Sequence, residues 1–315
     1  MALRQLDSLL NASETLIMGY REWGNAAGSY MLSPIVHTLL QCLGPARAIQ
    51  VAWNNHGPSS TYRLSTAVAR YRMQAVKPPC AFLWLHTDRL AAAERDAKSF
   101  LHAACRWIHY CGDPKRCDNF PSPYSSTWAY SHVYSSRAAY VPPLYVHTSV
   151  RLTHEDPTPV FFGAMSLRNQ SCALLRNRPG WVRERLREVH SVWSAAAMAQ
   201  QLGRSSVFIN LHRACDNGSA ALESFRLSQL LSVGALVVSQ RSNRLDEREY
   251  EGLVTFANDE QFWAVVAKLC KSSQEERRAL GTRRMKRFMA SDPGPSEVAQ
   301  HTRTRPFVRF NRYSE

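Results

Sequence analysis

Residues 160–289 carry the pattern that most constrains the fold, because short apolar runs alternate there with helical segments. The predicted strands are 160–162, 189–193, 207–211, 235–238 and 253–256, and the predicted helices are 167–176, 195–202, 222–233, 259–270 and 274–289. The strands are mostly continuous apolar runs rather than alternately polar, which indicates a parallel sheet with helices on both faces. We therefore predict an α/β domain in the second half of the chain.

The first half of the chain is less regular. Its predicted elements are strands at 48–53 and 81–86, a helix at 90–109, and a loop at 111–126. Four prolines between residues 140 and 159 favour extended backbone and indicate a linker. A chain of 315 residues suits two domains, so we expect one at 1–150, a second at 151–291, and a basic tail at 292–315.

The charge favours anionic partners. The formal net charge is +14, which suits nucleotides, nucleic acid or anionic lipid headgroups without choosing among them. Residues 271–315 contain eleven lysines and arginines but five acidic residues. A solvated helix face and a loose tail explain this excess most simply, and a weak contact of the tail with an anionic surface is the alternative.

The cysteines are too sparse for a disulfide scaffold, so we expect most of them to be reduced and packed as small apolar side chains. His102, Cys105, His109, Cys111 and Cys117 lie near one another in sequence, but their spacing contains no Cys-x-x-Cys pair. We therefore predict no metal site. No secretion signal or membrane-spanning run is evident, and a cytoplasmic protein is the default expectation.

Polar residues follow two of the predicted strands, where ligands of parallel sheets bind. Gly163 ends the first strand and Arg168 follows it, a combination that lets backbone and a guanidinium approach a diphosphate. Asn210 and His212 flank the end of the strand at 207–211, where a polar side chain needs a partner. The alternative is structural: a turn glycine, a solvated arginine and hydrogen-bonded core side chains.

The entry to the helix at 222–233 is the second candidate feature. The amides around Ser219, Ala220 and Leu222 lie at a helix start, where free N–H groups and the helix dipole attract anions. Ser219 is equally a plausible helix cap.

Three polar residues follow on that helix. Glu223, Arg226 and Gln229 are spaced three residues apart and so share one side of the helix. They fit ribose and phosphate binding, and an intrahelical Glu–Arg pair is the structural alternative.

Together these features resemble the donor-binding domain of GT-B glycosyltransferases, specifically the group-1-like transferases of the CgeB type. The likeness is carried by VFINLHRACDNGSAALESFRLSQLLSVGALVVSQ at 207–240 and by FFGAMSLRNQ at 161–170. A weaker likeness extends to 127–146. The resemblance implies two Rossmann-like domains that face a cleft, of which we expect the N-terminal one to be small and irregular.

The resemblance also implies a function. It suggests transfer of a sugar from a nucleotide diphosphate sugar to an unknown glycan, protein or small-molecule acceptor, with retention of configuration and without a metal or other cofactor. His212 and Arg226 are then the expected catalytic residues, and the expected donor-binding residues are Gly163, Arg168, Asn210, Ser219, Ala220, Leu222, Glu223 and Gln229.

One position departs from the pattern of these transferases. Gln229 stands where they have a glutamate that binds the donor ribose. A degenerate, non-catalytic binding protein is therefore the second hypothesis. A nucleic-acid-binding protein with a basic tail is the third.

Overall fold

The structure is a computed structural model that describes most of the chain. The described residues are 9–11, 13–22, 27–44, 46–55, 62–64, 71, 73–85, 97–111, 124–133, 138–146, 148–163, 173–189, 195–212 and 220–291.

The described part of the first half forms a seven-stranded sheet. Its strands are β1 Thr15–Glu22, β2 Ala48–Asn55, β3 Tyr62–Leu64, β4 Cys80–Leu85, β5 Arg106–Cys111, β6 Tyr124–Ala129 and β7 Ala139–Tyr140, with helix α1 at Ala27–Leu43. The order is β3-β2-β1-β4-β5-β6-β7, and every neighbouring pair is parallel except β2 and β3. This domain is richer in regular structure than its sequence predicts.

The second half forms a five-stranded, fully parallel sheet in the order β12-β11-β10-β8-β9. Its strands are β8 Val160–Phe162, β9 Arg187–Val189, β10 Val207–Asn210, β11 Leu236–Gln240 and β12 Thr255–Ala257. Its helices are α2 Ala173–Arg176, α3 Gly180–Arg185, α4 Ala195–Leu202, α5 Ser224–Ser232, α6 Arg244–Glu249, α7 Asp259–Lys271 and α8 Gln274–Ser291.

Both faces of the second sheet are covered, as the apolar strands predict. Along β10, Phe208 packs into the core on one face, whereas Val207 and Ile209 pack into the core on the other. The α/β class with two Rossmann-like domains is therefore confirmed, and the reason is visible in the sequence: a strand that is buried on both faces has no polar side.

The strand order of the second sheet has a reversal between β8 and β10. From β8 the chain runs to the edge strand β9 and then returns to place β10 on the opposite side of β8. In open α/β sheets, ligands bind in the crevice beyond the carboxyl ends of the strands at such a switch point. A ligand site is therefore expected beyond the carboxyl ends of β8 and β10.

The two domains meet through α5 and the segment between the sheets. The Leu144 amide donates to Thr38 Oγ1 of α1 at 2.8 Å, and the Val146 amide donates to Ser232 Oγ of α5 at 2.8 Å. Phe225 near the start of α5 contacts the ring of Tyr130, which follows β6, with centroids 4.7 Å apart. The residue that follows β6 in the first sheet therefore packs against the start of α5 in the second domain.

Two sequence-based predictions are wrong in the first domain. Residues 106–109 of the predicted helix belong to strand β5, because the Ala-rich run that suggested a helix ends before the apolar sequence RWIHYC. Cys80 and Cys105 are not reduced but form a disulfide, and Cys111 is also disulfide-bonded. Cys80 and Cys105 directly precede the paired residues Ala81 and Arg106 of adjacent strands, which brings their Cα atoms to 4.7 Å.

Other predicted features lie partly outside the described residues. These include the starts of the helices predicted at 90–109 and 167–176, most of the strand predicted at 189–193, and the tail at 292–315. Among the residues described, no helix is long and apolar enough to cross a membrane.

Candidate functional site

Arg226 lies at the centre of the residues that converge beyond β8 and β10. Its Nη1 donates to Asn210 Oδ1 at 2.9 Å, and its Nη2 lies 2.5 Å from Glu223 Oε2. The guanidinium carbon is 5.5 Å from the centre of the Phe161 ring, which places a cation over an aromatic face. A long and otherwise flexible side chain is thus held in one orientation on three sides.

Gly163 follows β8 and lies directly against this guanidinium. A Cβ atom at Gly163 would be 3.2 Å from Arg226 Nη2 and 3.4 Å from Phe161 Cε1. The residue also has a φ of +144°, a conformation that side-chain-bearing residues rarely adopt. The glycine is therefore required both by backbone geometry and by the close approach of Arg226.

Asn210 ends β10 and connects the sheet to Arg226. It is fully buried and pairs in register with Ser239 of β11, whose Oγ accepts a hydrogen bond from Asn210 Nδ2 at 3.0 Å. Because Nδ2 is held by Ser239, Oδ1 is turned toward the arginine. The polar residue in an apolar strand thus has the partner that its burial requires.

His212 is buried just beyond β10. Its amide donates to Gln240 Oε1 at 3.2 Å, and its ring Nε2 lies 3.0 Å from the Arg241 carbonyl oxygen. A carbonyl only accepts, so Nε2 carries the proton and Nδ1 is left as an acceptor. Nδ1 is buried and has no hydrogen-bond partner within the described part of the chain.

The ring of His212 is neutral near pH 7. Burial lowers its pKa below the usual range, and the nearby Arg226 lowers it further. The Glu223 carboxylate and the backbone hydrogen bonds oppose this without reversing it. His212 therefore presents a lone pair rather than a positive charge.

The helix entry differs from the expected amide cradle. Helix α5 begins at Ser224 with Glu223 as the capping residue, and no side chain makes a capping hydrogen bond there. The Leu222 amide donates to Asp246 Oδ2 at 3.1 Å, and the Ala220 carbonyl accepts from the Asn243 amide at 3.0 Å. The Leu222 amide is thus occupied by a carboxylate and is not directed at a ligand.

The remaining predicted site residues are placed less fully. Gln229 is buried on α5, one turn beyond Arg226, with 8% of its surface exposed. Arg168 and Ser219 lie outside the described residues. The structure thus brings together Gly163, Asn210, His212, Glu223 and Arg226 and leaves those two positions open.

Four residues of this region were missed from the sequence: Phe161, Ser239, Gln240 and Asp246. Ser239 and Gln240 are polar residues at the end of an apolar strand, the same signal that identified Asn210. Phe161 and Asp246 carry no such signal, because an apolar strand residue and a charged helix residue are ordinary in those settings.

Comparison of the sequence with protein families and with curated proteins finds no match. Solved structures that are similar in fold include CalG4, WaaB and MnaA. The calicheamicin glycosyltransferase CalG4 is 12% identical, with 93% of this chain and 100% of that chain covered and a TM-score of 0.35. The apo form of the lipopolysaccharide outer core galactosyltransferase WaaB is 9% identical, with 88% of this chain and 99% of that chain covered and a TM-score of 0.42. S. aureus MnaA, in a structure with UDP, is 12% identical, with 85% of this chain and 90% of that chain covered and a TM-score of 0.39. All three TM-scores are below 0.5.

Proposed function

We propose that this protein is a glycosyltransferase of the GT-B type that binds a nucleotide diphosphate sugar beyond β8 and β10. The observation that carries the proposal is the convergence of Gly163, Asn210 and Arg226 at the switch point of a parallel sheet. A glycine allows the backbone to approach a ligand closely, and an oriented guanidinium can pair with phosphate oxygens. Together they suit the binding of a diphosphate.

In this proposal, Arg226 stabilises the negative charge that develops on the leaving diphosphate. A positioned cation costs no reorganisation at the moment of reaction, which makes it effective at a developing charge. His212 accepts a hydrogen bond at Nδ1 from a hydroxyl of the donor, because that atom is buried without a partner in the described residues. Arg168, Ser219 and Ala220 complete the donor site on the strength of the resemblance alone.

The remaining features of the proposal also come from the resemblance. The first domain holds the acceptor, the reaction needs no metal, and the anomeric configuration is retained. The disulfide between Cys80 and Cys105 favours an oxidising compartment over the cytoplasmic location that the sequence suggests.

The test is the affinity of the protein for UDP and GDP, measured by calorimetry. Arg226→Ala should weaken binding of the preferred nucleotide at least about tenfold, because a charge-assisted contact to phosphate is lost. Arg204→Ala is the control, since Arg204 is exposed and pairs with Glu155 away from the site. Unchanged affinity in Arg226→Ala would remove this residue from the site.

A non-catalytic binding protein is the second candidate, and Gln229 favours it. An amide stands where the resemblance expects the ribose-binding glutamate. The Gln229 side chain is also buried. Such a protein would bind the nucleotide sugar but leave it intact. Transfer or hydrolysis in a panel of UDP- and GDP-sugars distinguishes the two, since turnover that Arg226→Ala abolishes is expected only of the enzyme.

A further inference from the structure

Asp246 is a buried carboxylate that joins three separate parts of the chain. It lies on α6 with 1% of its surface exposed. Its Oδ1 accepts from the His132 amide at 2.9 Å, and its Oδ2 accepts from Ser131 Oγ at 2.5 Å and from the Leu222 amide at 3.1 Å. Three donors surround one charge, which is the arrangement that makes a buried carboxylate tolerable.

The donors come from both domains. Ser131 and His132 follow β6 of the first domain, whereas Leu222 lies in the second domain, two residues before α5. The same helix start is held by the first domain on another side, because Ser224 Oγ contacts the Tyr130 carbonyl at 3.4 Å and Phe225 packs on Tyr130. Separation of the domains would remove two of these three donors and leave the Leu222 amide.

Leu222 connects this carboxylate to the candidate site. One residue further along the chain is Glu223, and Arg226 follows in the first turn of α5. The Glu223 and Arg226 side chains are paired at 2.5 Å. A shift of the Leu222 backbone would therefore move the guanidinium relative to Gly163 and Asn210, which are fixed by the sheet.

We infer that Asp246 is a positioning residue that couples docking of the first domain to the geometry of the nucleotide site. This inference rests on the proposed function for the identity of the ligand. Nucleotide binding orders the start of α5, and through Leu222 and Asp246 it strengthens the contact with Ser131 and His132. By linkage, the docked first domain strengthens nucleotide binding to the same degree.

Asp246→Asn isolates this role with little change in shape. The amide has a single oxygen, so in either orientation its NH2 group faces the N–H of His132 or the N–H of Leu222. One buried backbone donor then loses its acceptor. The equilibrium constant for forming the contact between the domains should fall about tenfold. Glu155→Gln is the matched control, because it makes the same chemical change in an exposed pair with Arg204.

The experiment is hydrogen exchange of the full chain, read on peptides that cover 130–133 and 220–232, with and without UDP. In the wild-type protein, UDP should slow exchange in both peptides. In Asp246→Asn, UDP should still slow exchange at 220–232 but no longer at 130–133, and its affinity should fall about tenfold. Glu155→Gln should behave as wild type. Protection of 130–133 by UDP that survives in Asp246→Asn would overturn the inference.

The unliganded proteins separate this inference from the proposed function. Without UDP, Asp246→Asn should exchange faster than wild type in both peptides, since the carboxylate that joins Ser131, His132 and Leu222 is lost. If UDP protects neither peptide of the wild type, the proposed function fails, and the unliganded comparison still tests the bridge. Equal exchange of the two unliganded proteins in both peptides would show that Asp246 does not join the domains.

Discussion

Arg226 is paired with the carboxylate of Glu223. Glu223 lies 2.5 Å from its Nη2, on the same side as Gly163. A diphosphate that binds there would have to displace this carboxylate or accept its repulsion. Under the proposed function, Glu223 either competes with the diphosphate for Arg226 or leaves the arginine to bind a ribose hydroxyl, the role that the sequence suggests for it.

Glu223→Gln distinguishes the two roles by the sign of its effect. If Glu223 competes with the diphosphate, the neutral variant should bind UDP several-fold more tightly, because the phosphate no longer displaces a charged partner. If Glu223 holds the ribose, the variant should bind more weakly. Calorimetric titration measures the change, and Glu155→Gln reports any general effect of removing one negative charge.

The site could be predicted from sequence only where a residue breaks the pattern of its element. Asn210 in an apolar strand and Gly163 at a strand end stood out for that reason, and both lie beside Arg226 in the structure. The contact of Leu222 with Asp246 could not be foreseen, since it joins residues 24 apart through backbone placement. Sequence identifies residues with unusual chemistry, whereas the pairing between distant elements comes from the fold.

At the scale of elements, helix α8 is fixed by a close contact of two glycines. A Cβ atom at Gly281 would lie 2.4 Å from the Gly234 carbonyl oxygen and 2.7 Å from His154 Cε1. His154 is buried and has a φ of 62°, so its backbone is itself constrained. Neither obstacle is the flexible end of a long side chain, and the helix would have to move away from the sheet.

Gly281→Ala should therefore destabilise the protein, although alanine favours helix more than glycine does. We expect a loss of about 1–3 kcal/mol in the free energy of unfolding, typical of an overpacked contact. Gly180→Ala is the control, because a Cβ at Gly180 in α3 meets nothing within 4 Å. Urea unfolding of both variants checks this, and a Gly281→Ala protein as stable as wild type would contradict the packing described here.

Four helices of the second half were predictable because each has a local signal, whereas α3 and α6 were not predicted. Helices α4, α5, α7 and α8 agree with the predicted segments to within a few residues, since their apolar spacing or Ala-rich composition is local. Strand β5 was missed because RWIHYC follows a helix-like run without an intervening proline or glycine. Its identity as a strand depends on pairing with β4 and β6, which is information held elsewhere in the chain.

At the scale of the whole molecule, the two-domain α/β architecture follows from the sequence, but the size of the first sheet does not. Two strands were predicted in the first half, and the described residues contain seven. One of the additional strands, β5, carries Tyr110, whose ring centroid is 6.0 Å from that of Phe225 on α5. The first domain therefore shapes the candidate site as well as facing it.

The disulfide between Cys80 and Cys105 leads to a prediction about the environment of the whole protein. Disulfides persist in oxidising compartments and are rare in the cytosol, so this bond is evidence against the cytoplasmic location that the sequence suggests. It links residues separated by 25 positions, and a loop of this length corresponds to about 3 kcal/mol of stabilisation. Cys80→Ala combined with Cys105→Ala should lower the free energy of unfolding by about that amount under oxidising conditions.

Cys270→Ala provides the control for this pair, because Cys270 is a free thiol whose pKa burial raises to about 11. In Cys270→Ala, reductant should lower the free energy of unfolding as much as it does in wild type. In the double variant, the part of that loss due to the Cys80–Cys105 bond should be absent. Peptide mapping of protein isolated with its thiols blocked at lysis tests the location directly. A Cys80–Cys105 link in that material would place the protein outside a reducing cytosol, and two blocked free thiols would mean that the first sheet holds these cysteines side by side without bonding them.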